Sequence, residues 1–305
     1  MRFHELVPEA LAGERVDRVV AMITGCSRAE VADLVATGAV LVGGAVVTSR
    51  SQRLAAGDEV DVEAPDPEAV GTLVPEPEIA VPLVHEDEDL LVVDKPAGLV
   101  VHPGAGRRTG TLVHGLLARF PELAGVGDPH RPGIVHRLDK GTSGLLLVAR
   151  SQAAYDALVA GLAGRTVHRR YHALAWGHLD APRGLIDAPV GRSAREPTRM
   201  AVTERGRVAR TRYEVRARYT QPVAVTELTC ELETGRTHQI RVHLRSIGHP
   251  VVGDGRYDGE RQSLPAPRPF LHAEHLELAH PTTGAPLVFD SPLPADLREV
   301  LSRLS

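Results

Sequence analysis

The first 64 residues carry two helical patterns of apolar spacing, followed by short alternating ones. Apolar residues recur at intervals of three and four over residues 15–24, which predicts a helix with one buried face. Ser27 and Glu30 stand at capping-box spacing, so a second helix is predicted to begin there and to end near Gly38. Alternating valines after residue 40 and again after Gly57 predict small strands. The predicted inward-facing residues are Val16, Val19, Val20 and Ile23 in the first helix and Val31, Leu34 and Val35 in the second.

Beyond residue 85 the apolar runs are longer and predict an α+β domain. The segments GIVHRL and GLLLVAR are predicted as strands on either side of Asp139. Ser151 is predicted to cap a helix over QAAYDALVAGL. Antiparallel runs of strands with helices grouped outside them indicate a mixed, mostly antiparallel sheet. Further strands are predicted over LLVVDK, VHRRYHALAWGHL, VARTRYEVRARY and VAVTELTCEL, and further helices over GTLVHGLLARF and HQIRVHLRSIG.

A segment rich in proline and acidic residues separates these two patterns. Between Pro65 and Asp89 the chain has no Lys or Arg and little periodicity before Val81. This composition is typical of an exposed linker. We therefore predict a small module over residues 1–64, a linker over 65–84 and a larger domain over 85–305.

The formal net charge of −4 hides an uneven distribution of charge along the chain. Residues 1–63 carry −4, residues 64–90 carry −8, and residues 91–305 carry +8. A basic domain of this kind can hold a polyanion. The larger domain is therefore the better candidate for contact with nucleic acid.

Cysteine use and hydropathy indicate the compartment. Cys26 and Cys230 stand far apart, and no window approaches the roughly 20 apolar residues of a membrane span. The first thirty residues lack the charged start and apolar block of a signal peptide. We predict a soluble, cytoplasmic, monomeric protein with two reduced, buried thiols and no membrane partner.

Three N-terminal segments resemble a small RNA-binding module first recognised in a ribosomal small-subunit protein. They are GERVDRVV, SRAEVADLVATGAVLVGG and LAAGDEV, in this order. The resemblance implies RNA binding by basic residues of the module, here Arg15, Arg18 and Arg28. The module is net acidic, so a packing or dimerisation role is the alternative.

The stretch GIVHRLDKGTSGLLLVAR places Asp139 between a basic pair and a Gly-Thr-Ser turn. An aspartate in this position is commonly a turn former whose side chain satisfies backbone amides. Three features favour a functional role instead. The preceding segment is apolar, Arg137 lies two residues earlier, and the glycines permit a close approach of backbone.

The stretch HRLDKGTSGLLLVAR is similar to the catalytic signature of the RluA family of RNA pseudouridine synthases. The resemblance implies a catalytic domain of the pseudouridine synthase type that isomerises uridine in RNA. The bond from uracil nitrogen to ribose is cut, the ring turns, and carbon-5 is joined instead. Nothing is added or removed, so no cofactor and no metal are implied. Five more stretches match in the same order: LLVVDKPAGLVVHPG, RRYHALAWG, VARTRYEV, LETGRTHQIRVHLRSIGHPVVGD and FLHAEHLELAHP.

The resemblance also implies roles for single residues. Asp139 would act at the ribose, either by covalent attack or by assisting elimination, and both routes stay open. Arg241 would pair with Asp139 and favour its charged form. Tyr171 would pack on the flipped uracil, and Arg137 would fill the place that the base vacates. His136 and Thr142 are further predicted substrate contacts, and Arg236 is a further predicted RNA contact.

Alternatives from other classes remain at this stage. A non-catalytic RNA-binding or ribosome-assembly factor could share the fold. A synthase could act on transfer RNA instead of the large-subunit ribosomal RNA that the two-domain arrangement favours. The H-x-E pattern at His272 is part of the signature of zinc deaminases, but the P-C-x-x-C that such an enzyme needs is missing.

Overall fold

The structure, a computed structural model, describes residues 2–26, 28–64, 73–104, 107–196 and 198–305, with only the backbone of residues 28–30. The chain divides into two compact units, Met1–Leu73 and Val74–Ser305. The end of the predicted linker therefore belongs to the second unit. Glu76 holds it there by accepting a hydrogen bond from the Gly110 N–H at 2.9 Å, and Ile79 packs closely over Gly115.

The first unit combines a small sheet with two helices. Strands β1 (Arg2–Leu6), β2 (Val40–Val42), β3 (Ala45–Val46) and β4 (Glu59–Glu63) form an antiparallel sheet in the order β1-β4-β2-β3. Helices α1 (Val16–Thr24) and α2 (Arg28–Ala36) share its core. The predicted inward faces are confirmed except at Ile23, which is only partly buried. Ser27 lies outside the described residues, so its predicted capping role stays a prediction.

The second unit is built on one large sheet. Its strands are β5 (Leu83–Glu86), β6 (Leu90–Lys95), β7 (Ser143–Ala149), β8 (His168–Trp176), β9 (Arg183–Asp187), β12 (Arg210–Tyr219), β13 (Val225–Leu232), β14 (Leu271–Ala279) and β15 (Pro286–Asp290), and β10 (Val190–Arg192) and β11 (Met200–Val202) form a separate pair. As far as the chain is described, the order in the large sheet is β5-β6-β7-β14-β8-β13-β12-β9, and β15 pairs with β14. The β7–β14 pair is parallel and the other pairs are antiparallel, which confirms the predicted mixed, mostly antiparallel α+β architecture.

Helices accompany this sheet at the predicted positions. They are α3 (Leu112–Arg119), α4 (Gln152–Gly164) and α5 (Gln239–Ser246), and α6 (Ala295–Leu301) follows near the C-terminus. Ser151 caps α4 as predicted, because its Oγ accepts a hydrogen bond from the Ala154 N–H at 3.1 Å. None of the helices in the described part of the chain has the length and apolar character that a membrane crossing requires.

The strand predicted over GIVHRL is wrong. Only Ile134 forms a bridge, with Val148 of β7, and residues 135–139 are irregular. The pairing of this segment with β7 ends here because a side chain takes the place of a backbone carbonyl as acceptor. The Leu147 N–H of β7 donates to His136 Nε2 at 2.9 Å. The segment then leaves the sheet, so the residues before Asp139 form a loop.

The cysteines are both free, as predicted, but differ in burial. Cys230 is buried in β13, whereas Cys26 is only partly buried just beyond α1. The prediction of two buried thiols is therefore wrong for Cys26. A helix end in this small unit cannot be covered on all sides by its short sheet.

Candidate active site

Asp139 lies in the loop that leads into β7, and backbone contacts fix this loop. The Thr142 N–H donates to the Asp139 carbonyl oxygen at 3.0 Å and closes a turn. Arg268 Nη1 donates to the Gly141 carbonyl oxygen at 3.1 Å from the far side. The carboxylate of Asp139 is therefore held in place, with its side chain 15% exposed.

Arg241, in the first turn of α5, joins Asp139 to a second carboxylate. Its Nη1 donates to Asp139 Oδ2 at 3.0 Å. Its Nε and Nη2 donate to the two oxygens of Asp254 at 2.6 and 2.8 Å, and Asp254 is completely buried. Burial alone would lower the pKa of Arg241, but the Asp254 hydrogen bonds and the charges of both carboxylates raise it above the ordinary value. The guanidinium is thus a permanent cation between two anions.

Two aromatic side chains close the other side of Arg241. The Tyr257 ring centroid lies 4.9 Å from Arg241 Cζ, within cation–π distance. The Tyr257 hydroxyl accepts a hydrogen bond from the Met200 N–H and forms another with His238 Nδ1 at 2.6 Å. Burial lowers the pKa of His238 to about 4, and its Nε2 lies 3.9 Å from Asp139 Oδ1. A neutral imidazole therefore stands next to the carboxylate.

A cavity of about 580 Å³ opens beside Asp139 and is called the Asp139 cavity below. Tyr171 of β8 lines it and is only 4% exposed. Burial raises the pKa of Tyr171, so its phenol is neutral. The basic residues that line the Asp139 cavity are Arg131, Arg137, Arg165, Arg169 and Arg236.

The predicted substrate contacts differ in position. Arg137 and His136 line the Asp139 cavity, and Arg137 is exposed without any hydrogen bond or ion pair to the residues that the structure describes. Thr142 is buried and is not part of the cavity lining. Its contribution in the structure is the turn at Asp139.

The predicted RNA contacts of the first unit are partly neutralised. Arg15 donates to both oxygens of Asp17, at 3.0 and 2.8 Å, and Arg18 pairs with Glu14 at 2.7 Å. The Arg28 side chain lies outside the described residues. Arg236, in the second unit, lines the Asp139 cavity and donates from Nε to the Val208 carbonyl oxygen at 3.1 Å.

Three residues of this site were not predicted from sequence. Asp254 binds Arg241, His238 flanks Asp139, and Arg169 lies in the Asp139 cavity. Only Arg169 had a local signal, because residues two apart on a strand share a face and Tyr171 was already predicted there. The other two come from the loops around α5, where no periodicity indicates which side chains converge.

The histidines of the rejected deaminase pattern bind protein groups. His272 is buried between Ser143 Oγ, at 2.9 Å from Nδ1, and the Ser291 carbonyl oxygen, at 3.1 Å from Nε2. Within the described residues, no cluster of three or more His, Cys, Asp or Glu side chains could hold a metal ion. These histidines connect strands and loops.

Family models match both units of the chain. The model described as RNA pseudouridylate synthase matches residues 89–246, and the S4 domain model matches residues 14–60. A human protein, RNA pseudouridylate synthase domain containing 1, has a similar solved structure. It superimposes with a TM-score of 0.58 at 29% identity, covering 77% of this chain and 90% of its own.

Curated relatives align over nearly the whole chain. An RNA pseudouridine synthase of Bacillus subtilis, YlyB, is 43% identical over 297 residues, 97% of this chain and 96% of its own. Ribosomal large subunit pseudouridine synthase D of Pseudomonas aeruginosa is 43% identical over 311 residues, 98% of this chain and 94% of its own. These matches confirm the resemblance found in the sequence: the chain belongs to the RNA pseudouridylate synthase family, is an isomerase that makes pseudouridine in RNA, and carries an S4 domain at its N-terminus.

Proposed function

We propose that this enzyme modifies uridine in large-subunit ribosomal RNA, with Asp139 as its catalytic carboxylate. The substrate class rests on near full-length similarity to relatives whose names state that activity. The catalytic assignment rests on one observation above all. A carboxylate that is held by a permanently charged arginine opens onto a cavity lined by a buried tyrosine.

The Asp139 carboxylate suits chemistry at a ribose carbon that becomes electron-poor. Arg241 occupies only one of its oxygens, Oδ2, so Oδ1 is left to face the substrate. A carboxylate in that position either forms a bond to the sugar or assists elimination beside it. Arg241 acts as the positioning residue because it fixes the direction of the carboxylate and keeps a positive charge next to it.

The neighbouring side chains suit an extruded base. Chemistry on uracil requires the base to leave the helical stack. Tyr171 offers an aromatic ring in the wall of the Asp139 cavity, on which the uracil would pack. Arg137 is exposed and unpaired among the described residues, so its guanidinium is free to enter the space that the base vacates.

The electrostatics of the Asp139 cavity suit RNA as substrate. Five arginines line it, against the carboxylates of Asp139 and Glu233. Glu233 is already paired, with Arg165 at 3.0 Å and with Arg212 at 2.7 Å. Arg131 is paired with Asp128 at 3.0 Å, whereas the exposed Arg137 has no such partner among the described residues and is available to phosphates. RNA affinity should therefore fall as salt is raised.

Pseudouridine mapping in cellular RNA, with and without this gene, tests the proposal. We expect specific pseudouridines to disappear from large-subunit ribosomal RNA and to return with the wild-type gene but not with Asp139→Asn. Loss from transfer RNA alone would contradict the substrate class and leave the catalytic assignment standing. Restoration of all sites by Asp139→Asn would instead support a role in RNA binding or ribosome assembly.

A further inference from the structure

Buried polar atoms without a partner are concentrated in the Asp139 cavity. Four buried side-chain nitrogen or oxygen atoms in the described part of the chain make no hydrogen bond. Three of them, Nε of Arg169 and Nδ1 of His102 and of His136, belong to residues that line the Asp139 cavity. Buried polar groups are nearly always satisfied in folded proteins, so such a concentration in one place is typical of a site that binds a polar ligand.

Arg169 is the most costly of these groups because it carries a charge. It is only 6% exposed and has no hydrogen bond or ion pair with any residue in the described ranges. Its Nη1 packs against Gly235, which has no side chain. A Cβ atom at that position would lie only 3.2 Å from this nitrogen. The fourth unpartnered atom, Nε of Arg210, belongs to a guanidinium whose charge is compensated, because Arg210 forms an ion pair with Asp187 at 2.8 Å. A buried cation without a counter-ion is strongly unfavourable, which points to an anion that arrives with the substrate.

The neighbours of Arg169 offer donors and no competing anion. The Leu147 N–H donates to His136 Nε2, so a neutral His136 ring carries its proton on the unpartnered Nδ1. Burial, with a contribution from the charge of Arg169, lowers the pKa of His136 to about 3, and the ring is neutral. The two carboxylates that line this cavity are paired with other arginines: Asp139 with Arg241, and Glu233 with Arg165 and Arg212. The free donors therefore suit a ligand rich in acceptor oxygens.

We propose that Arg169 binds the extruded uracil and stabilises its negative charge when the bond to ribose breaks, with the His136 Nδ1–H as a second donor. The inference rests on the proposed function. When the bond between ribose C1′ and uracil N1 breaks, the bonding electrons leave with uracil, whose charge spreads over N1, O2 and O4. C5 of the ring then bonds to C1′. On the covalent route the bond between Asp139 and C1′ breaks in this step, and on the elimination route the proton that Asp139 removed from C2′ returns to C2′. The ring loses its C5 proton to a base and takes up a proton at N1. Both routes open to Asp139 pass through this anion.

The depth of Arg169 favours the base over a backbone phosphate. Phosphates remain on the strand at the mouth of the cavity, where the exposed Arg137 can reach them. Arg169 is as deeply buried as Tyr171, with which it shares the inward face of β8. Only a group that leaves the strand and enters the cavity can reach this guanidinium.

Single-turnover kinetics of Arg169→Met on an unmodified large-subunit ribosomal RNA transcript test the inference. Loss of one preorganised group at a developing charge typically lowers the rate about 100-fold or more, and we expect that loss here. RNA affinity and its salt dependence should stay close to those of the wild-type enzyme. Arg169→Lys, which keeps the charge, should recover part of the rate. Arg119→Met, which removes an exposed arginine paired with Glu86, is the matched control and should react like the wild type.

A modified base separates charge stabilisation from a structural role. Fluorine at C5 withdraws electrons and stabilises the uracil anion without help from the protein. The loss caused by Arg169→Met should therefore be smaller when 5-fluorouridine replaces the target uridine, measured as disappearance of the intact nucleoside. The Tm of Arg169→Met should equal or exceed that of the wild type, because the substitution removes an uncompensated buried charge.

Any one of three results would overturn this inference and leave the proposed function standing. The first is an Arg169→Met enzyme that reacts as fast as an active wild type. The second is a weaker RNA affinity of Arg169→Met with a shallower salt dependence, and the third is a lower Tm together with equal losses of rate on uridine and on 5-fluorouridine. The second would identify a phosphate contact and the third a structural arginine. A wild-type enzyme that makes no pseudouridine in the transcript would overturn the proposed function together with this inference.

Discussion

Arg241 Nη1 lies 3.0 Å from Asp139 Oδ2, although 102 positions separate the two residues in the chain. The arginine comes from the first turn of α5 and the aspartate from the loop before β7. Asp254 holds the same guanidinium by two hydrogen bonds. The direction of the proposed catalytic carboxylate therefore depends on three segments that meet only in the folded chain.

Asp139→Asn should abolish pseudouridine formation while it preserves the fold and RNA affinity. The amide keeps the shape of the side chain but removes the charge that acts at the ribose. Isomerisation assays, RNA binding and thermal unfolding on the same preparations check this prediction. Activity within about tenfold of the wild type would rule out Asp139 as the catalytic carboxylate, because removal of a nucleophile or acid–base group generally costs more than that.

Asp254→Asn should weaken both stability and turnover, because it leaves Arg241 with one carboxylate. Breaking a buried ion pair by removing one partner costs about 3–5 kcal/mol, and we expect the lower end because Asp139 remains. Asp258→Asn is the matched control. It removes the charge of an exposed carboxylate that lies 2.6 Å from Arg245, which belongs to α5 like Arg241. That change should lower the free energy of unfolding by less than about 1 kcal/mol and leave the rate intact. Equal effects of both substitutions in urea unfolding and single-turnover assays would contradict a specific role for Asp254.

Arg137→Ala should slow the reaction more on a structured RNA than on a relaxed RNA that carries the same uridine. Unstacking a base costs a few kcal/mol, and an arginine in the vacated space offsets part of that cost. Single-turnover rates on the two substrates measure the difference. Equal losses on both would show that Arg137 does not hold the base out of the stack.

His136 should make the enzyme sensitive to mild acid. Burial lowers its pKa to about 3 in the folded protein from 6.5 in the unfolded chain. Below pH 6.5 the unfolded chain therefore binds a proton that the folded protein does not, and stability falls as the pH falls toward 3. At pH 5 this one group accounts for about 2 kcal/mol of lost stability.

His136→Gln, which keeps an acceptor for the Leu147 N–H but does not titrate, should lack that part of the pH dependence. Unfolding free energies of both proteins at pH 7 and pH 5 measure the difference directly. The same slope for both proteins would show that the imidazole is not held neutral in the fold.

Local patterns determined much of the secondary structure. The apolar spacing over residues 15–24 predicted α1 and its inward face, and Ser151 predicted the start of α4. Such features are set by side chains within one or two turns of each other, so their physics is contained in a short stretch of sequence. Asp139, Tyr171 and Arg241 came from a resemblance to a known family, and the fold brings all three to one site.

Long-range contacts decided the rest. GIVHRL has the composition of a strand, but His136 accepts the hydrogen bond of Leu147 and ends the ladder there. Asp254 carries no local pattern of function, and the only local signal for Arg169 is its place two positions before Tyr171. The role of a buried charge is set by what lies across the fold from it. For Asp254 that is Arg241, 13 positions earlier, and for Arg169 it is the Asp139 cavity, which lies between β8 and the 232–237 segment. The sequence thus determined most of the elements and the family, whereas only the tertiary structure showed that Asp254 also binds Arg241 and that Arg169 has no partner among the described residues.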